Sequence, residues 1–242
     1  MSEIKITESS FKSKNIIYVY TALSDVINQM NGKAEIKKGR NRCELKIVIP
    51  NEYYDLIMQE VHDKMADVIA VNYKYNFFKK NIKVAGLSKT EHEILLTALI
   101  SADIEEDKRY AVKRFRYFSE FAIDGIFNFR MKPLKEKWKE IAGYIPTAFP
   151  IRGLRDFITY LIKDKMGKKV YYENGNVYDK RFNILKRREL LGEGALEYGS
   201  IKEILLSGAG EIELGSKLPD KEEMYLRDFY GERVTFQEGY FN

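Results

Sequence analysis

Apolar positions at Ile16, Val19, Tyr20, Leu23, Val26, Ile27 and Met30 recur at steps of three and four, which predicts an amphipathic helix following a short strand at EIKIT. Gly32 after Asn31 is a good C-terminal stop. The pattern then shifts to alternation: Leu45, Ile47 and Ile49 fall on one face, Lys46 and Val48 on the other, so AEIKKGRNRCELKIVIP reads as a hairpin turning near Gly39 and ending at Pro50.

From Glu52 to about Lys83 the period lengthens again. Ile57, Val61, Met65, Val68, Tyr75 and Ile82 keep a near-heptad stripe that Asn72 interrupts, and Gly86 closes the segment. Ser88 and Glu91 of SKTE have the spacing of a capping box, so a new helix is expected there, carrying Ile94, Leu95, Ala98, Leu99 and Ala102. Asp103 and Glu106 could cap a further helix through Tyr110, Val112, Phe115, Phe118 and Phe121, and the pattern leaves open whether this is one helix or two. LKEKWKEIAGYIP and RGLRDFITYLIKDKMG predict two more short helices, bounded by Pro133, Pro146 and Gly167.

The remaining stretch changes character. Asn174-Gly175 supplies the positive φ angles of a tight turn between Tyr- and Val-rich arms, and the segments after it predict helix, strand, helix, strand. The expected fold class is α+β, with a central helical region and strand or hairpin segments at both ends. Three regions follow, 1–50, 51–167 and 168–242, with packing into one compact domain left open.

Composition narrows the partners. The 242 residues are 45% hydrophobic, enough for a sizeable core without metals or disulfides. A single cysteine rules out an intrachain disulfide and suits a reducing, cytoplasmic setting. No secretory leader and no membrane-spanning run is visible, so no membrane association is expected. The net charge of +5 arises from 41 basic and 36 acidic residues, a mixed surface that argues only weakly for nucleic acid.

Candidate chemistry is sparse. Two histidines, His62 and His92, and Cys43 cannot build a zinc site of ordinary spacing, and Cys43 reads as structural. No nucleophile elbow, dinucleotide fingerprint or Walker motif occurs, so neither a cofactor nor a catalytic set is expected, although residues distant in sequence could still converge. The acidic clusters at 103–108 and 220–224 read as helix-start acids. Lys180, Arg181, Lys186, Arg187 and Arg188 form a basic run that could contact phosphates, with Tyr171, Tyr172, Tyr178 and Phe182 as stacking candidates and Lys113, Arg114 and Arg116 as possible additions. A solvated hairpin edge explains the same residues.

FAIDGIFNFRMKP, residues 121–133, is the most distinctive stretch. Asp124-Gly125 reads as a helix-ending turn, Ile126, Phe127 and Phe129 as residues re-entering the core, and Arg130 as a guanidinium paired with Asp124 in a structural clasp. The alternative is a ligand-binding arginine.

The same segment resembles the YtxC-like sporulation-protein family of endospore-forming Firmicutes, with Asp124, Gly125, Phe129, Arg130 and Lys132 at matching positions. Ile126 replaces an aromatic residue, and Pro133 and Leu134 depart from the family's continuation. The order of IAVNYKYNFFKKN, EHEILLTALI, IKEILLSGAGEIELGSK and YLRDFYGERVTF extends the similarity over most of residues 60–236, while the C-terminal cysteines of some members are missing. The resemblance implies a cytoplasmic, sporulation-linked protein and no established activity. The leading expectation is therefore a non-enzymatic interaction or regulatory protein with a protein partner; the alternative is a nucleic-acid-binding module using 180–188.

Overall fold

A computed structural model describes the chain except for residues 10–13, 119, 151, 164, 166–167, 195–196 and 238–242. In chain order its elements are β1 (Ser2–Glu8), α1 (Lys14–Gln29), β2 (Lys33–Lys38), β3 (Cys43–Ile49), α2 (Tyr54–Asp67), a π turn (Val68–Tyr73), α3 (Lys74–Asn81) and α4 (Lys89–Phe115). Then follow β4 (Phe121–Ala122), α5 (Ile123–Arg130), α6 (Lys132–Tyr144), α7 (Gly153–Ile162), β5 (Lys169–Glu173), β6 (Asn176–Tyr178), α8 (Gly199–Ser207), β7 (Glu211–Leu214), α9 (Asp220–Tyr230) and β8 (Val234–Phe236). The fold is α+β, with helices dominating the middle and a mixed sheet drawn from each end. Among the described residues, no helix is long and apolar enough to cross a membrane.

Instead of three consecutive regions, the chain divides into two compact units, each assembled from separate segments: residues 1–74 with 105–141, and residues 75–104 with 142–242. The chain leaves the first unit just past the π turn and re-enters it just past Asp103, where α4 kinks at φ −132° and ψ 19°. One helix or two is thus answered by both: the hydrogen-bonded ladder continues while the axis breaks. Asn72, the interruption in the heptad stripe, lies within the π turn, where the extra residue per turn shifts the apolar face.

In the first unit the strand order is β2-β3-β1-β4. The alternation along β3 buries Cys43, Leu45, Ile47 and Ile49 beside Ile4 and Ile6 of β1, and α1 covers them with Ile16, Val19, Leu23 and Ile27. The opposite face is ionic, with Glu3 bridging Lys5 and Lys46, and Glu35 paired with Lys37. The α1 stop is made by Asn31, at φ 53°; Gly32 is required for space, because a Cβ there would lie 2.9 Å from Ile27 Cγ2.

In the second unit the order is β6-β5-β7-β8, with β5, β7 and β8 parallel and α8 and α9 serving as the crossovers. Asn174 and Gly175, at φ 46° and 84°, make the β5–β6 turn expected from their sequence. The Ser88–Glu91 capping box forms, the Ser88 amide donating to Glu91 Oε2 at 2.8 Å and the Glu91 amide to Ser88 Oγ at 3.2 Å. Helix α7 is in place, but Gly167, expected beyond its end, lies outside the described residues. Acids 220–224 open α9 as helix-start residues, and Glu222 reaches further, accepting the Ser200 and Ile201 amides at the start of α8.

Candidate nucleic-acid interface

The segment around Asp124 folds differently from its sequence reading. Asp124 and Gly125 begin α5 instead of ending a helix, and Gly125 has no positive φ. Ile126 and Phe127 are buried, Phe127 stacking on Trp138 at 5.8 Å and packing on Tyr73 at 4.3 Å. Phe129 is 83% exposed, and Arg130 is exposed and has no carboxylate partner among the described residues. The Asp124–Arg130 clasp does not form. Six residues along one helix are separated by about 9 Å of rise and roughly 240° of rotation, so the two side chains leave different faces.

Arg130 instead reaches the end of α4. It lines a hollow of about 320 Å³ together with Arg114, Tyr117 and Phe118. A second hollow of about 420 Å³ is lined by Tyr110, Lys113, Arg114, Arg116 and Tyr117. Arg114 and Tyr117 belong to both and form the ridge between them.

Local sequence explains this arrangement. Phe115 is fully buried, so its neighbours Arg114 and Arg116 are turned toward solvent, and α4 ends in a turn closed by the Phe118 amide on the Phe115 carbonyl. Tyr117, on that turn, is 81% exposed. Lys113 and Arg114 sit in the last turn of α4 and Arg130 in the last turn of α5, where the negative ends of two helix dipoles favour cations. The Arg114 guanidinium lies over the Tyr110 ring at 5.1 Å and donates to its hydroxyl at 3.0 Å, which fixes its direction.

The face carries four exposed cations. Among the described residues, Lys113, Arg114, Arg116 and Arg130 have no carboxylate partner, whereas nearby Lys137 is shared between Glu106 and Asp107. Behind the face, the His62 ring packs against Phe115 and Phe121. Loss of hydration, with Arg116 adding to it, holds that imidazole below its ordinary range and favours its neutral form.

The basic run at 180–188 is placed otherwise. It follows β6 and turns back along the edge of that strand, Tyr178 bridging Ile184 and the Leu185 amide donating to the Val177 carbonyl at 2.8 Å, and two of its members are structural. Arg187 donates to the Leu206 carbonyl at 3.1 Å, and Arg188 lies over Gly199 and reaches the Gly175 carbonyl at 3.4 Å. The Glu203 carboxylate accepts the backbone amides of both arginines, at 3.0 and 2.8 Å. Lys180 and Arg181 are exposed and Lys186 is half-buried, but Tyr172 is buried and Tyr171 stacks on Phe182 at 5.0 Å, so three of the four stacking candidates already have a packing role.

Sequence reasoning missed the buried ions. In the first unit Lys74 and Asp107, both fully buried, pair at 2.7 Å, and Asp107 also accepts from Trp138 Nε1 at 2.8 Å and Lys137 at 2.9 Å. Lys108 bridges Asp63 and Asp67, and Tyr18 donates to Asp67. In the second unit Glu93 pairs with Lys202 at 2.5 Å, and Glu213 with Lys169. Partners 33 and 109 residues apart leave no local signature. The cationic face did leave one: RYAVKRFRYF, residues 109–118, has four basic residues and no acid. No family model, curated protein or solved structure matches this chain.

Proposed function

We propose that the protein is a nucleic-acid-binding module that holds the phosphate backbone on the Lys113–Arg114–Arg116–Arg130 face. One observation carries the reading: four exposed cations, without carboxylate partners among the described residues, surround two adjoining hollows bordered by tyrosines. The exposed Arg116 and Arg130 guanidiniums offer planar donor forks suited to phosphate oxygens, and releasing counterions from the phosphates drives association. This moves the interface away from 180–188, where Arg187 and Arg188 are engaged by the protein itself. The protein would act by binding, with no bond-making step assigned to it; the sporulation setting implied by the family resemblance is carried with the proposal as its cellular context.

The test is fluorescence anisotropy of a labelled oligonucleotide across a salt series. Contact with four phosphates should give a log–log slope of about −3, at roughly −0.7 per phosphate on a single strand. Arg116→Glu with Arg130→Glu should abolish detectable binding, while Lys180→Glu with Arg181→Glu should leave it intact. Absence of binding at low salt, or the reverse ranking of the two double variants, overturns the reading.

A further inference from the structure

We infer that the nucleic acid held here is single-stranded, with successive bases seated in the two hollows on either side of Tyr117; this rests on the phosphate-binding reading of the same face. A face that reads only backbone needs cations on an open surface. This one adds relief: two hollows of about 320 and 420 Å³, at the small end of the ~300–1,000 Å³ range for small-ligand sites and divided by a shared ridge. The aromatic on that ridge, Tyr117, is 81% exposed, an arrangement with no benefit to the core.

The chemistry of the ridge fits an unstacked base. Every base has a π-face, so an exposed tyrosine stacks without sequence preference, and flanking arginines add cation–π contact. Arg114 is held over Tyr110 at 5.1 Å, so the second hollow has its own aromatic and guanidinium pair. Phe118 lines the first hollow beside Arg130, giving it the same combination. A duplex keeps its bases stacked inside and can offer such hollows only phosphate and sugar, leaving Tyr117 in water.

Three probes of about 15 nucleotides, within reach of one binding face, separate the possibilities: oligo-dT, an abasic oligomer of the same length, and the corresponding duplex. Oligo-dT should bind the wild-type protein at least tenfold more tightly than the abasic strand at equal salt. Tyr117→Ala should lower oligo-dT affinity about tenfold and leave the abasic strand and duplex unchanged, while Tyr117→Phe retains the preference because the ring remains. The exposure of Tyr117 means that both variants should melt with the wild type, which circular dichroism checks. Equal affinity for abasic strand and oligo-dT, or no effect of Tyr117→Ala, overturns the base-stacking inference and leaves the backbone reading standing. Failure of all three probes overturns both.

Discussion

Arg130 shows how far a side chain's role depends on which face of its helix it leaves. Its neighbour Phe127 enters the aromatic cluster with Tyr73 and Trp138, while Phe129 and Arg130 point to solvent. Arg130→Ala should therefore change stability by no more than about 0.5 kcal/mol, as for other surface substitutions without partners, while flattening the salt dependence of binding by about one phosphate. Phe127→Ala should cost about 3–5 kcal/mol, the range for emptying an aromatic site in a core. Thermal melts of the two variants side by side decide the matter; a large loss for Arg130→Ala would restore a clasp role. The residue types of the segment were legible in the sequence, but the pairing inferred from their nearness was wrong because α5 carries its two ends to different sides.

Elements were the most readable level. Periods of two and near 3.6 anticipated β3, α1, α4, α8 and α9, and the Asn-Gly and Ser-x-x-Glu signatures located a turn and a cap through local backbone chemistry alone. What the pattern could not show was how helices are fastened by buried ions. Asp107 on α4 receives Lys74 of α3 and both Trp138 and Lys137 of α6, so one carboxylate ties three helices within the first unit. Asp107→Ala would remove the carboxylate paired with the fully buried Lys74 ammonium, and the expected loss is about 3–5 kcal/mol. Urea denaturation measures it directly. A loss below about 1 kcal/mol would mean that Lys74 finds another partner.

At the scale of the whole molecule, pH is the useful probe because opposing groups titrate. Burial pushes the Glu203 carboxyl up to about 7 despite the Arg188 and Arg187 amides that favour its charge. The folded state then holds a proton that the unfolded chain releases near the ordinary glutamate value, so this group's contribution is greatest below that value and is lost as pH rises to about 7. His62 acts in the opposite sense: its lowered pKa means that acid charges the unfolded chain first, and stability falls as pH drops below the ordinary imidazole range. Asp63 is desolvated, yet Lys108 and Lys64 hold it below the usual carboxylate range, so its contribution fades only at lower pH. The isolating measurement is the difference between wild type and Glu203→Gln in denaturation midpoints at pH 5 and 7.5. The wild type should lose about 2 kcal/mol relative to the variant across that interval, the larger part of the shift. Parallel pH profiles would show that Glu203 is solvated in the folded state.

Sequence alone determined what depends on neighbours along the chain: periodicity, caps, the tight turn, the α+β class and the acid-free basic run at 109–118. Only the tertiary structure decided what depends on distant residues meeting. It placed Arg130 beside Arg114 and Tyr117, engaged Arg187 and Arg188 in carbonyl contacts, and buried Lys74 with Asp107. The physical reason is that backbone preferences act over a few residues, whereas desolvation and ion pairing act through space and are indifferent to separation along the chain.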